Sequence, residues 1–156
     1  MKGKINQKLA ENRRRLLESE ATTSLESIVQ RGFEYRFVPM DVSNQLLQVL
    51  LANELEGTLA EYGFISALEA SELLRPVLEN ANQSGDDVFY LFFEANEEAG
   101  AIELRLTDCL HYLNELLTFI RFDEGELMNS FMLAKADLSF VVCIFHTEYG
   151  TELFCL

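Results

Sequence analysis

Leu138-Ser-Phe-Val-Val-Cys-Ile-Phe-His146, then Thr147-Glu-Tyr-Gly150, then Thr151-Glu-Leu-Phe-Cys-Leu156 is the stretch around which the rest of the chain is organised. Phe140 to Phe145 is apolar at every position, rich in β-branched and aromatic residues, and too short for a helix, which predicts a strand buried on both faces. Gly150 suits the left-handed last position of a three-residue loop, Glu148-Tyr149-Gly150, which predicts an antiparallel hairpin with Thr147 opposite Thr151. In that register Val141, Cys143, Phe145, Leu153 and Cys155 share one face. Val142, Ile144, His146, Glu152, Phe154 and Leu156 share the other. Both faces are largely apolar, so the hairpin is expected in the middle of a sheet, with Leu156 inside the core.

Upstream, Ile5 to Ser19 has a weak helical pattern carried by Ile5, Leu9 and Leu16. Thr23 and Glu26 have capping-box spacing, which places a second helix from about Ser24 to Gly32. Phe33, Tyr35 and Phe37 alternate as a strand does before Pro39. A wide apolar arc through Leu46, Leu47, Val49, Leu50, Leu51, Leu55 and Leu59 predicts a helix ending at Gly63. Ser66 and Glu69 repeat the capping-box spacing ahead of a helix that Pro76 is expected to kink or divide. Val88 to Phe93 and Ala101 to Leu106 read as strands, and Leu106, Leu110, Leu113, Leu117 and Ile120 as one amphipathic helix. Leu127 to Ala136 fits helix or strand and leans to strand. The predicted class is α+β: N-terminal helices, then a mainly antiparallel sheet with one inserted helix and the C-terminal hairpin. Residues 1–20 are expected to form a basic, weakly amphipathic helix or arm, and residues 21–156 one acidic domain.

The charge is unevenly distributed. The first fifteen residues hold Lys2, Lys4, Lys8, Arg13, Arg14 and Arg15 against Glu11, a net of +5, within a chain of 156 residues whose net charge is −14. The remainder is therefore −19, a field that repels nucleic acid and anionic lipid and steers cationic partners inward. No apolar run approaches the ~20 residues of a membrane span. The basic N-terminus lacks an apolar signal core, and three cysteines form no secreted-type framework, so a cytoplasmic location is expected.

No phosphate-binding glycine loop, dinucleotide fingerprint, nucleophile elbow or HExxH helix occurs, and no cofactor is expected. Cys109 and His111 diverge by about 200° around a helix. Cys143 and His146 fall on opposite strand faces, so neither pair converges on a metal. Cys143 and Cys155 would face each other in the hairpin register, as buried apolar groups or as a redox pair. His146 would oppose Glu152, the half of a general-base site that an enzyme reading, a small hydrolase, would use.

The acidic residues gather in turns: Asp86 and Asp87 at one end of a strand, Glu94, Glu97 and Glu98 at its other end, and Asp123, Glu124 and Glu126 farther on. Tyr149, Tyr62 and Tyr112 are candidate aromatic anchors for a partner. In size, charge and lack of catalytic motifs the chain resembles the small acidic immunity proteins that bacteria make against nuclease toxins. That likeness implies a non-catalytic protein that covers a basic partner using Asp86, Asp87, Glu94, Glu97, Glu98, Asp123, Glu124, Glu126 and Tyr149. Alternatives are mimicry of nucleic acid by a continuous acidic stripe, the His146 enzyme, and an oligomeric adaptor whose N-terminal helix pairs with its copy.

Overall fold

The computed structural model describes residues 2–52, 56–81, 87–125 and 129–156. α1 (Lys2–Val29) leads to β1 (Tyr35–Phe37), α2 (Met40–Ala52), β2 (Thr58–Tyr62), α3 (Ala67–Ala81), β3 (Val88–Phe92), α4 (Asn96–Ala99) and β4 (Ile102–Arg105). α5 (Leu106–His111), α6 (Leu113–Phe119), β5 (Phe131–Ala134), β6 (Val141–His146) and β7 (Thr151–Cys155) follow. The seven strands form one antiparallel sheet in the order β1-β4-β3-β5-β6-β7-β2. The α+β class, β1 between the first helices and the C-terminal strands agree with the sequence; β2 between α2 and α3 does not follow from it.

The two faces of the sheet are covered unequally. Leu25 and Ile28 of α1, Leu74 and Leu78 of α3, and Leu106, Leu113, Leu116 and Leu117 of α5 and α6 pack with Phe89, Leu91, Ile102, Leu104, Leu133, Val142, Ile144 and Leu153 in one core. On the opposite face, among the described residues, α2 is the helix that lies on the sheet: Leu46, Leu47 and Leu50 meet Phe92, Ala101, Ala134 and Val141. Ser43 ties that helix down, its buried hydroxyl accepting the Ala101 N–H at 2.9 Å. Seven strands at ~4.8 Å spacing span about 30 Å, whereas one helix is ~10 Å across, so one helix leaves most of a face open.

Several local expectations are corrected. α1 is a single helix, because Thr22, Thr23 and Ser24 turn their hydroxyls back to the carbonyls of Glu18, Ser19 and Glu20 instead of capping a new start. The helix ends at Val29 and the turn that closes it runs to Gly32, whose φ is +103°. The Ser66–Glu69 capping box forms: Glu69 Oε2 accepts the Ser66 N–H at 2.8 Å and Ser66 Oγ accepts the Glu69 N–H at 3.3 Å. α3 is not divided at Pro76. Pro76 and Glu72, whose carbonyl loses its donor, are exposed, so water can take the missing bond. The long helix expected from Leu106 is split at Tyr112, whose hydroxyl donates to the Arg31 carbonyl at 2.7 Å.

The helix expected to run to Gly63 is described over Met40–Ala52, residues 53–55 with Leu55 lie outside the described residues, and Leu59 lies in β2 instead. Gly57 marks the break: a Cβ there would overlap the Cys155 carbonyl and the Phe154 ring. The hairpin is also one residue longer than expected. His146 pairs with Thr151 and Ile144 with Leu153, leaving residues 147–150 as the loop. Gly150 does not have positive φ; it is required because a Cβ would strike the Tyr62 carbonyl of β2. This slip moves β7 to the opposite parity, so Glu152 and Phe154 face the open side, and Thr151, Leu153 and Cys155 the packed side.

Candidate functional site

The nominated acidic residues are largely engaged within the molecule. Asp87 is paired with Lys135 at 2.9 Å and half-buried. Glu98 meets Arg13. Arg121 lies between the two acidic turns, 3.8 Å from Glu94 and 2.5 Å from Glu124. Asp123 accepts the Ala67 N–H at 2.6 Å and so serves the start of α3. Glu97 is exposed, with its backbone carbonyl taken by Asn44. Asp86 and Glu126 lie outside the described residues.

His146 is likewise absorbed by the fold. It is 3 % exposed; its Nε2 is 3.0 Å from the Phe122 carbonyl and its Nδ1 is 3.0 Å from the Thr151 hydroxyl. A carbonyl only accepts, so Nε2 carries the proton and Nδ1 accepts from Thr151. The pairing of His146 with Glu152 is thus corrected to one with Thr151, while Glu152 lies across from Phe145 on the other face. The redox register fails for the same reason: Cys143 pairs with Phe154 and Cys155 with Val142. All three cysteines are free, and burial pushes the Cys109 and Cys143 thiols up to about 12. Among the described residues no group of three His, Cys, Asp or Glu side chains is placed to hold a metal.

What the sequence did not disclose is the open face. Leu50 and Leu51 of α2, Leu59 of β2, Met132 of β5, Val141, Cys143 and Phe145 of β6, and Glu152 and Phe154 of β7 line an apolar groove of about 340 Å³. Leu51 and Leu59 are 73 % and 55 % exposed, which is unusual for leucines side by side on one surface. Glu61 sits directly opposite Glu152 on the same sheet face, two like charges in register. Such a pair is unfavourable unless compensated, yet neither carboxylate has a hydrogen bond or ion pair among the described residues. At the end of this strand pair Tyr62, Tyr149, Gly150, Glu61 and Glu152 border a second cleft of about 260 Å³. Tyr149 is 86 % exposed, and the Glu148 carboxylate bonded to its hydroxyl holds that phenol above its usual range. Of the residues singled out from sequence, Tyr149, Tyr62 and Glu152 are the ones the fold places here.

A larger cleft, about 540 Å³, runs between α1 and α6 past Ser24, Ser27, Asn114 and Thr118. Its charged members are already employed, Glu115 with Arg31 and Arg121 with Glu94 and Glu124. We therefore take the open groove, with its uncompensated charge, as the candidate site. No helix among the described residues is long and apolar enough to cross a membrane.

The family described as YxiF protein matches residues 17–156 of the chain. Over 153 residues, 98 % of each chain, the sequence is 39 % identical to the protein YxiF of Bacillus subtilis (strain 168). No solved structure matches. The chain belongs to the YxiF family.

Proposed function

We propose that this member of the YxiF family is a non-catalytic, cytoplasmic binding protein that neutralises a basic protein partner, in the manner of an immunity or antitoxin-type inhibitor of a bacterial nuclease toxin. The observation that carries the proposal is the uncompensated Glu61–Glu152 pair beside an exposed apolar groove and Tyr149. A segment presenting lysine or arginine next to apolar side chains satisfies both halves of that surface. The carboxylates set the rate and salt dependence of association, and the desolvated apolar centre supplies most of the affinity.

The scattered, internally paired acids at the turns do not support a phosphate-like stripe, and the saturated ring of His146 does not support a base. Affinity capture from the native host lysate at low and high salt, with mass spectrometry of the eluate, tests the proposal. A basic protein is expected to be held by the wild type, released by salt, and lost with Glu61→Lys/Glu152→Lys. Reversal of Glu97, Glu98, Asp123 and Glu124 is expected to weaken capture less. Capture unaffected by the Glu61→Lys/Glu152→Lys change would remove the groove from recognition.

A further inference from the structure

Among the described residues the open sheet face lacks the layer of several helices that the other face has. α2 covers the β3-β4-β5 side, and beyond it Phe145, Phe154, Leu59 and Met132 form an apolar floor open to solvent. The chain also carries a helix without a surface to lie on. Residues 3–13 of α1 are exposed at every position, and Ile5, Leu9 and Leu16 are 56, 61 and 58 % exposed. Lys4 and Lys8 stand one turn apart beside Ile5 and Leu9 and make no ion pair among the described residues. One surface thus offers apolar side chains with two unpaired carboxylates, and the other apolar side chains with two unpaired ammonium groups.

The two do not meet within one molecule. α1 is a continuous helix whose root, Leu25 and Ile28, is fixed in the packed core on the opposite side of the sheet, and Thr22 is bonded to Tyr35 of the far edge strand β1. We infer that the N-terminal arm of one copy docks as the missing helix in the open groove of a second copy, with Ile5 and Leu9 on the Leu59–Phe145–Phe154 floor and Lys4 and Lys8 beside Glu61 and Glu152. Reciprocal docking closes a two-fold dimer and hides on each copy the surface assigned above to the basic partner. Arm-to-arm pairing is disfavoured, because each arm is +5. The inference rests on reading the groove as a receptor for a cationic, apolar-faced segment, and it names a resident occupant that a partner must displace.

Sedimentation velocity on the full chain tests it. The wild type is expected to associate at low salt and to dissociate as salt is raised. Lys4→Glu/Lys8→Glu and Glu61→Lys/Glu152→Lys should each weaken self-association by about tenfold or more, the scale of two surface charge pairs reversed. Mixed together, the two variants should form a heterodimer, since each arm then meets a groove of opposite charge. Every substituted side chain is exposed or half-exposed, so folding is expected to be preserved, as circular dichroism would verify.

A wild type that stays monomeric at low salt across the micromolar range, or variants that associate as the wild type does, would overturn the inference. Capture of the basic partner by the Lys4→Glu/Lys8→Glu variant separates the two proposals. Capture retained without wild-type self-association sinks only the dimer, whereas self-association without any captured partner sinks only the partner reading.

Discussion

His146 is held by one acceptor and one donor in a site it fills almost completely. Replacing it with alanine takes one partner each from the Thr151 hydroxyl and the Phe122 carbonyl, which keep only the Ile65 and Gly125 N–H donors, and leaves a cavity. His146→Ala is therefore expected to lower the unfolding free energy by about 2–4 kcal/mol, read as a reduced urea midpoint at unchanged slope. A change under ~0.5 kcal/mol would show the ring is not structural. In sequence the same histidine invites a catalytic reading, because the partner that saturates it, Phe122, is 24 residues away and the other, Thr151, depends on a register one residue different from the simplest one. Glu69 was more legible, since a capping box is local. Its carboxyl is held below the ordinary value of 4.5, first by the Ser66 N–H and then by the Ser66 hydroxyl. A folded pKa below the unfolded one adds stability that is fully present above the unfolded value and is lost as pH falls through the folded one. Glu69→Gln should accordingly flatten the acid limb of the stability–pH curve, measured by urea unfolding from neutral pH down through the carboxylate range. An unchanged acid limb would mean that the box does not form in solution.

Elements with a strong local signature were legible: α3 from its cap, β3 and β4 from their apolar runs, β6 from its β-branched run. Those set by distant partners were not. β2 has helix-like leucine spacing upstream and becomes a strand because β7 offers a ladder from Cys155 to Thr151. α1 continues through three hydroxyl residues that in isolation signal a start, since each hydroxyl finds a carbonyl one turn back. β7 lies between β6 and β2 and holds both. Deleting Leu153–Leu156 removes a buried leucine and the partners of Leu59, Ala60, Cys143 and Ile144. The expected cost is at least about 3 kcal/mol, that of one or two fully buried apolar side chains, seen as a lower melting temperature. Unaltered melting would mean that β7 does not bind the sheet together.

For the molecule as a whole, the charge asymmetry was plain in the sequence, but where that charge remains unspent was not. Arg13, Arg121 and Lys135 return through the fold to the acids that look most available in the linear order, Glu98, Glu94, Glu124 and Asp87. Glu61, which attracts no notice in sequence, and Glu152, which the sequence sets against His146, are left facing each other. The candidate site draws on α2, β2, β5, β6 and β7, so no contiguous motif encodes it. The unequal covering of the two faces gives one acidic body both a socket and, in α1, a plug of matching chemistry.

The pairing of β2 with β7 joins residues as far as 97 positions apart, Thr58 with Cys155. Closing an unstructured loop of that length costs about 4 kcal/mol in chain entropy before any contact repays it. Until it happens, Leu59 and Glu61 are absent from the groove. An intermediate with every other strand in place would thus be blind to the groove's ligand, and binding there reports that folding has gone to completion.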